Sequence, residues 1–325
     1  MKIERMKREQ ILLVGFGILA VGFAAYWEAM VAYKLRNKGA EITPETIQIG
    51  LKNPPLWIFY NDSDVNSRFW ADFGARSSHV INVPIMNLFY ESIVKANGKQ
   101  YRVEVIGGLQ GVATLLGKDS MPKPLQNLRA SVGTAQEDWI RTAVLAKYGG
   151  LWLSPSVVAL KGFGHLPDDK IVAFGQDDVS TYSSPVPGFR ALWVPGQANP
   201  MMVEWEKRIR DRLENQLGGL QIRGDAKSDW YELCHSKESV EIRRDYELSR
   251  NIRTQKKLQL EDLFATVSGT DIPFEIPSCA KYIVVPHEDL LRRTMFSWVL
   301  RNSEKQILES DMAISKILRD RVNIN

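Results

Sequence analysis

Asp138 and Arg141 carry opposite charges three positions apart in the stretch Asp138-Trp139-Ile140-Arg141-Thr142-Ala143-Val144-Leu145-Ala146-Lys147-Tyr148. Ile140, Val144, Leu145 and Tyr148 fall on one helical stripe, so the segment reads as a helix. A spacing of three puts the carboxylate and the guanidinium on one face of it. Such a pair either offers an acceptor and a donor to a polar ligand or orients the helix as a structural ion pair. Gly149-Gly150 closes the helix, because glycine accepts the left-handed conformation that a helix C-terminus often needs. Leu151-Trp152-Leu153 then reads as a short strand that runs into Ser154-Pro155-Ser156. Ligands of open α/β sheets sit outside the carboxyl ends of the strands, which is where the two serines fall. Mg²⁺ and Mn²⁺ want hard anionic oxygen ligands, so two neutral hydroxyls are poor ligands and no metal is assigned to them.

These residues need a scaffold, and the pattern around them predicts one. Leu56 to Tyr60 is an apolar and aromatic run read as a first buried strand. Pro84 to Val94 has helical spacing, Tyr101 to Ile106 alternates as a strand, and Leu109 to Leu116 is a short helix. After the central helix and strand come strand-like runs at Ser156 to Leu160, Lys170 to Phe174 and Ala191 to Val194. Pro200 to Leu217 is an amphipathic helix with Met202, Trp205, Ile209 and Leu213 on its apolar face. Asp229 to Leu263 is charged and helical in part. Lys281 to Pro286 is a late strand and Glu304 to Leu318 a final helix. Alternating strands and helices predict an α/β sheet with helices packed on it.

The N-terminus is read separately. Residues 1–10 form a basic tail, and Ile11 to Tyr33 is apolar except for Glu28. That run meets the roughly 20 residues a membrane span needs and is read as an uncleaved single-pass anchor. A cleaved signal peptide and a buried helix are the rivals. Basic residues flank both ends and lean towards a cytoplasmic N-terminus. Residues 34–54 read as a stem that ends at Pro54-Pro55, and 55–325 as one domain.

The chain has 325 residues and a net charge of +4. Its charges are mixed along the sequence, so no nucleic-acid surface is indicated. The two cysteines, Cys234 and Cys279, are either a pair or two free thiols. They form no zinc motif, and His79, His165, His235 and His287 are scattered. Asp62-Ser63-Asp64 follows the first strand and reads as a turn, while Asn61-Asp62-Ser63 matches an N-glycosylation sequon by pattern.

The segment from Asp138 to Val158 resembles the sugar-transferring families that carry an Asp-x-Asp motif, nearest the capsular-polysaccharide-synthesis type. Mannosyltransferase-like and toxin glucosyltransferase families are more distant. Asp138, Arg141, Tyr148, Gly149, Gly150 and Trp152 match the shared pattern in type and spacing. Ser154 and Ser156 stand where its metal-binding residues belong. A weaker order of elements extends from Leu56 to about Leu213. Phe69 to Ser78 and Leu290 to Trp298 are similar to segments in glycosyltransferase-like proteins of large DNA viruses, and no function comes with that likeness.

The resemblance implies a GT-A-like nucleotide-sugar-binding sheet flanked by helices, preceded by one N-terminal transmembrane helix. It implies that Asp138 accepts from donor hydroxyls, that Arg141 donates to hydroxyls or phosphate, that Trp152 lines the pocket, and that Ser154 and Ser156 lie near the diphosphate. The distant families place a histidine near the metal late in the chain, which makes His287 a candidate; a surface turn is its alternative. Three readings stay open. The chain is a transferase that needs no metal and uses Arg or Lys instead, or one that borrows a carboxylate from Asp168, Asp169, Asp177 or Asp178. Otherwise it is an inactive relative with a structural or interaction role, including in a virus particle. The expected setting is a viral or host internal membrane, with a nucleotide sugar, the membrane and proteins as partners and a glycan or protein as acceptor.

Overall fold

Strand β1 (Pro55–Tyr60) is buried along Leu56 to Tyr60 and alternates between two cores. Leu56, Ile58 and Tyr60 face one core, while Trp57 and Phe59 face the other. The same alternation runs through β3 (Gly150–Leu153), where Leu151 and Leu153 oppose Trp152. A strand covered on both faces reads as an uninterrupted apolar run, and both strands do. Each large apolar side chain buried here contributes roughly 1.5–3 kcal/mol relative to exposure.

The computed structural model describes residues 53–61, 84–130, 132–177, 182, 184–215, 225–236, 240–252, 254, 256–268, 272–286, 289–290 and 293–322. The expected basic tail, the anchor over 11–33 and nearly all of the stem lie outside these residues. So do Asp62-Ser63-Asp64, Phe69 to Ser78, His79, Asp178 and His287. No helix among the described residues is long and apolar enough to cross a membrane.

The main sheet has the order β2-β1-β3-β6-β5-β7, where β2 is Arg102–Gly107, β5 Ile171–Asp177, β6 Val186–Val194 and β7 Val240–Arg243. β2 and β3 run parallel to β1, β6 is antiparallel to β3 and β5, and β7 is parallel to β5. Five strands therefore share one direction and β6 opposes them. A second sheet, β4-β9-β8, joins Val157–Ala159, Tyr282–Val284 and Glu247–Leu248.

Helices cover both faces, giving the mixed α/β architecture the sequence predicts. One core holds Ile85, Leu88, Phe89 and Ile93 of α1 (Pro84–Asn97), the small sheet, and the C-terminal helices α8 (Glu304–Glu309) and α9 (Ala313–Arg321). The other holds α2 (Gly108–Leu116), α3 (Thr134–Tyr148), α4 (Pro200–Asn215) and α5 (Ala226–Ser236). Two short α-helices, α6 (Leu260–Phe264) and α7 (Ser297–Arg301), lie between β8 and α8 in sequence.

Three expectations need adjustment. The central helix begins a turn earlier, at Thr134 rather than Asp138. The final helix is two, because Thr266 and Met312 pair as an antiparallel bridge and Val267 N–H donates to the Asp311 carbonyl at 2.9 Å. The region from Asp229 to Leu263 contributes β7 and β8 as well as helix. Cys234 and Cys279 are both free.

Candidate active site

Helix α3 and strand β3 are joined by a turn that only glycine can make. Gly149 has φ +65°, and a Cβ there would lie 2.1 Å from the Gly196 carbonyl oxygen. Gly150 has φ +94°, and its Cβ would lie 2.6 Å from the Pro55 carbonyl oxygen. The Trp57 indole donates to the Gly149 carbonyl at 2.9 Å, so a helix-end acceptor is satisfied inside the fold. The turn reverses the chain, and α3 runs back along β3. Fifteen helical residues span about 22 Å and four strand residues about 13 Å. The N-terminal half of α3 therefore overhangs the C-terminal edge of the parallel strands.

Asp138 sits in that overhang. It lines a cleft of about 500 Å³ with Thr134 and Ala135 of α3, Asp177 at the end of β5, Phe189 and Arg190 of β6, and Lys227 of α5. Arg141 forms an ion pair with Asp138 and is 5% exposed. Its guanidinium lies 4.4 Å from the Phe189 ring centre and 5.7 Å from a Trp205 ring. Its Nε has no hydrogen-bond partner among the described residues. Asp138 is thus the member of the pair presented to the cleft, and Arg141 stands behind it.

The serines lie along the same edge. Ser154 follows β3 directly, and its N–H donates to the Arg190 carbonyl at 2.7 Å. The Ser154 and Ser156 hydroxyl oxygens are 3.0 Å apart and bond to each other. Two neutral hydroxyls supply no charge for a hard divalent cation. Among the described residues no group of three His, Cys, Asp or Glu side chains is placed to hold a metal ion. Trp152 is 1% exposed, packs in the core with Trp139 and Trp205, and is absent from the cleft lining.

A charged network that sequence reasoning missed starts at the cleft with Asp177, Arg190 and Lys227 and continues to Glu247 and Tyr282, outside the cleft lining. Lys227 Nζ donates to Asp177 at 2.7 Å, and Arg190 donates to Asp177 and to Glu247 at 3.3 Å each. The Tyr282 hydroxyl donates to the other Glu247 oxygen at 2.9 Å. Burial alone would push the Asp177 carboxyl up, but Arg190 and Lys227 hold it below its usual range. Glu247, whose side chain is 1% exposed, goes the other way: burial raises it despite Arg190. Asp177 was legible as one of four candidate carboxylates. Arg190, Lys227 and Glu247 carried no signal, since they come from three elements far apart in sequence. Tyr60, at the end of β1, has a buried hydroxyl with no partner among the described residues.

No protein-family model matches the chain, and no curated protein matches it. Among solved structures it is similar to the PaToxG glycosyltransferase, at 14% identity over 57% of this chain and 69% of that one, with a TM-score of 0.34. It is similar to the glycosyltransferase GlyE of Streptococcus pneumoniae TIGR4, at 9% identity over 60% of this chain and 46% of that one, TM-score 0.31. A transferase mutant gives 12% identity over 56% and 84%, TM-score 0.32. At these values the likeness assigns neither a family nor an activity.

Proposed function

We propose that this chain is a glycosyltransferase-like protein that holds a nucleotide-sugar donor at the C-terminal edge of its main sheet without a metal ion. The observation that carries the reading is Asp138, pinned by a buried Arg141 at the wall of a cleft of about 500 Å³. A carboxylate fixed in one orientation is suited to accept from sugar or ribose hydroxyls. Open α/β sheets bind ligands at this edge, and the Asp-x-x-Arg and Tyr-Gly-Gly resemblance points to the same place. Lys227 and Arg190, each about 30% exposed at the side chain, are the cations positioned to meet a diphosphate. Under this proposal the expected anchor over 11–33 tethers the domain to a viral or host internal membrane.

A second reading is a non-catalytic relative that retains the fold for binding or architecture. Ser154 and Ser156 favour it, because the position that would supply charge to a cation holds two neutral hydroxyls joined by a hydrogen bond. Titration calorimetry on the full chain with UDP, GDP and their common sugar conjugates, with and without Mn²⁺, separates these readings from a decayed pocket. Micromolar binding that ignores Mn²⁺ and disappears in Asp138→Ala supports the donor site. Absence of binding to every nucleotide overturns it. Release of free sugar or transfer to an added acceptor then distinguishes an enzyme from a binder.

A further inference from the structure

Lys227, Tyr231 and His235 lie at successive spacings of four on α5, so they form one stripe leading from the cleft wall to the surface. Tyr231 packs against two rings. Tyr182 lies 4.4 Å from it at 25°, and His235 lies 4.0 Å from it at 35°. Hydrogen bonds tie the column together. His235 Nδ1 is 2.8 Å from the Tyr231 carbonyl, which can only accept, so Nδ1 carries the proton. In the neutral imidazole Nε2 is then the acceptor, and the Ser184 hydroxyl donates to it at 2.8 Å. With its proton committed, Ser184 accepts from the Tyr231 hydroxyl at 3.2 Å.

This arrangement has a cost that ordinary packing does not require. His235 is exposed and Tyr182, Tyr231 and Ser184 are only partly buried, yet the rings are held in one geometry. Rigid aromatic faces edged with hydroxyl and imidazole groups suit a ligand with an apolar C–H face and hydroxyls around its rim. That is the surface of a pyranose. Tyr182, Ser184, Tyr231 and His235 include no carboxylate, lysine or arginine, so an uncharged ligand is favoured over an ionic one.

We propose that Tyr182, Tyr231 and His235 form a saccharide-binding ledge beside the cleft, the acceptor subsite of the reaction. The name acceptor rests on the donor reading above; the binding of a saccharide does not. The test is saturation-transfer NMR on the full chain in a sugar-free detergent with maltotriose, mannotriose and chitotriose, alongside calorimetric titration of UDP. At least one trisaccharide receives saturation, and its affinity falls roughly 2- to 10-fold in His235→Ala and in Tyr182→Ala. Ser184→Ala, which leaves every ring in place, weakens binding less. UDP binding is unchanged in all three variants. If no trisaccharide receives saturation, or if both ring variants bind as the unaltered chain does, the ledge is overturned. Trisaccharide binding without UDP binding leaves the ledge standing and removes the donor reading; UDP binding without trisaccharide binding does the reverse.

Discussion

The guanidinium of Arg141 lies 4.4 Å above the ring of Phe189, and the same guanidinium holds the Asp138 carboxylate. A cation packed on an aromatic face and shielded from water gains about 2 kcal/mol. The stacking fixes the plane of the guanidinium, and the plane fixes where the carboxylate stands. Phe189 therefore acts on Asp138 through Arg141.

Arg141→Lys retains the charge but loses the planar fork that stacks and pairs at once. It should cost about 1–3 kcal/mol in urea unfolding. Phe189→Leu should cost about 1–2 kcal/mol by the same measurement. A double-mutant cycle should show coupling of about 1 kcal/mol between them. Additive costs would show that the contact carries no energy of its own.

Gly149→Ala and Gly164→Ala separate conformational strain from collision. Both glycines have positive φ, +65° and +77°. A Cβ at Gly164 meets nothing within 4 Å, while at Gly149 it meets the Gly196 carbonyl at 2.1 Å. Gly164→Ala should cost about 1–2 kcal/mol. Gly149→Ala should cost at least about 3 kcal/mol, since backbone must move as well. Equal losses in thermal unfolding would mean that the bend at Gly196 yields easily.

Replacing both serines by aspartate, Ser154→Asp with Ser156→Asp, places two carboxylates where two hydroxyls are now 3.0 Å apart. Like charges that close raise one another's pKa and destabilise the fold. A loss of about 1–2 kcal/mol corresponds to roughly 2–8 °C in a domain of this size. Millimolar Mn²⁺ should restore it in a thermal melt, and should leave the unaltered chain unmoved. A melt of the variant that ignores Mn²⁺ would show that the edge cannot assemble a cation site.

Glu247 gives a pH dependence of definite sign. Its carboxyl titrates higher in the fold than its ordinary value of about 4.3. Between those two values the native state binds a proton that the unfolded chain has released. Stability from this group is therefore full below about 4.3 and is lost as the pH rises through the folded value. Asp177 is held low, so its contribution is present above its ordinary value of about 3.9 and is lost as the pH falls through its folded one. Urea midpoints should thus decline as the pH rises above about 4.3. Glu247→Gln should flatten that decline; an unchanged slope would place its origin elsewhere.

Much of this layout was legible because short-range patterns encode it. The helical stripe of Ile140, Val144 and Leu145 and the glycine pair after Tyr148 placed α3 and β3 within one turn. Strand β6 was read only over Ala191 to Val194. In the fold it begins at Val186. Gly188 belongs there because a Cβ would meet the Phe174 carbonyl at 2.1 Å, across a register shift between Phe174 and Gln176. The break after Glu309 was hidden for a similar reason, since the pairing of Met312 with Thr266 overrides local helix preference. The charged network was hidden because Arg190, Lys227 and Glu247 meet only through tertiary structure.

The small sheet also dictates when the molecule can close during synthesis. Val157 and Val158 of β4 pair with Val284 and Ile283, and all four are buried. On a ribosome those valines emerge long before their partners exist. The first sheet strands can associate early, but the inner face of β4 stays uncovered until the last third of the chain follows. That interval is set by topology, and it makes the nascent protein most exposed to aggregation while Arg190 still lacks Glu247.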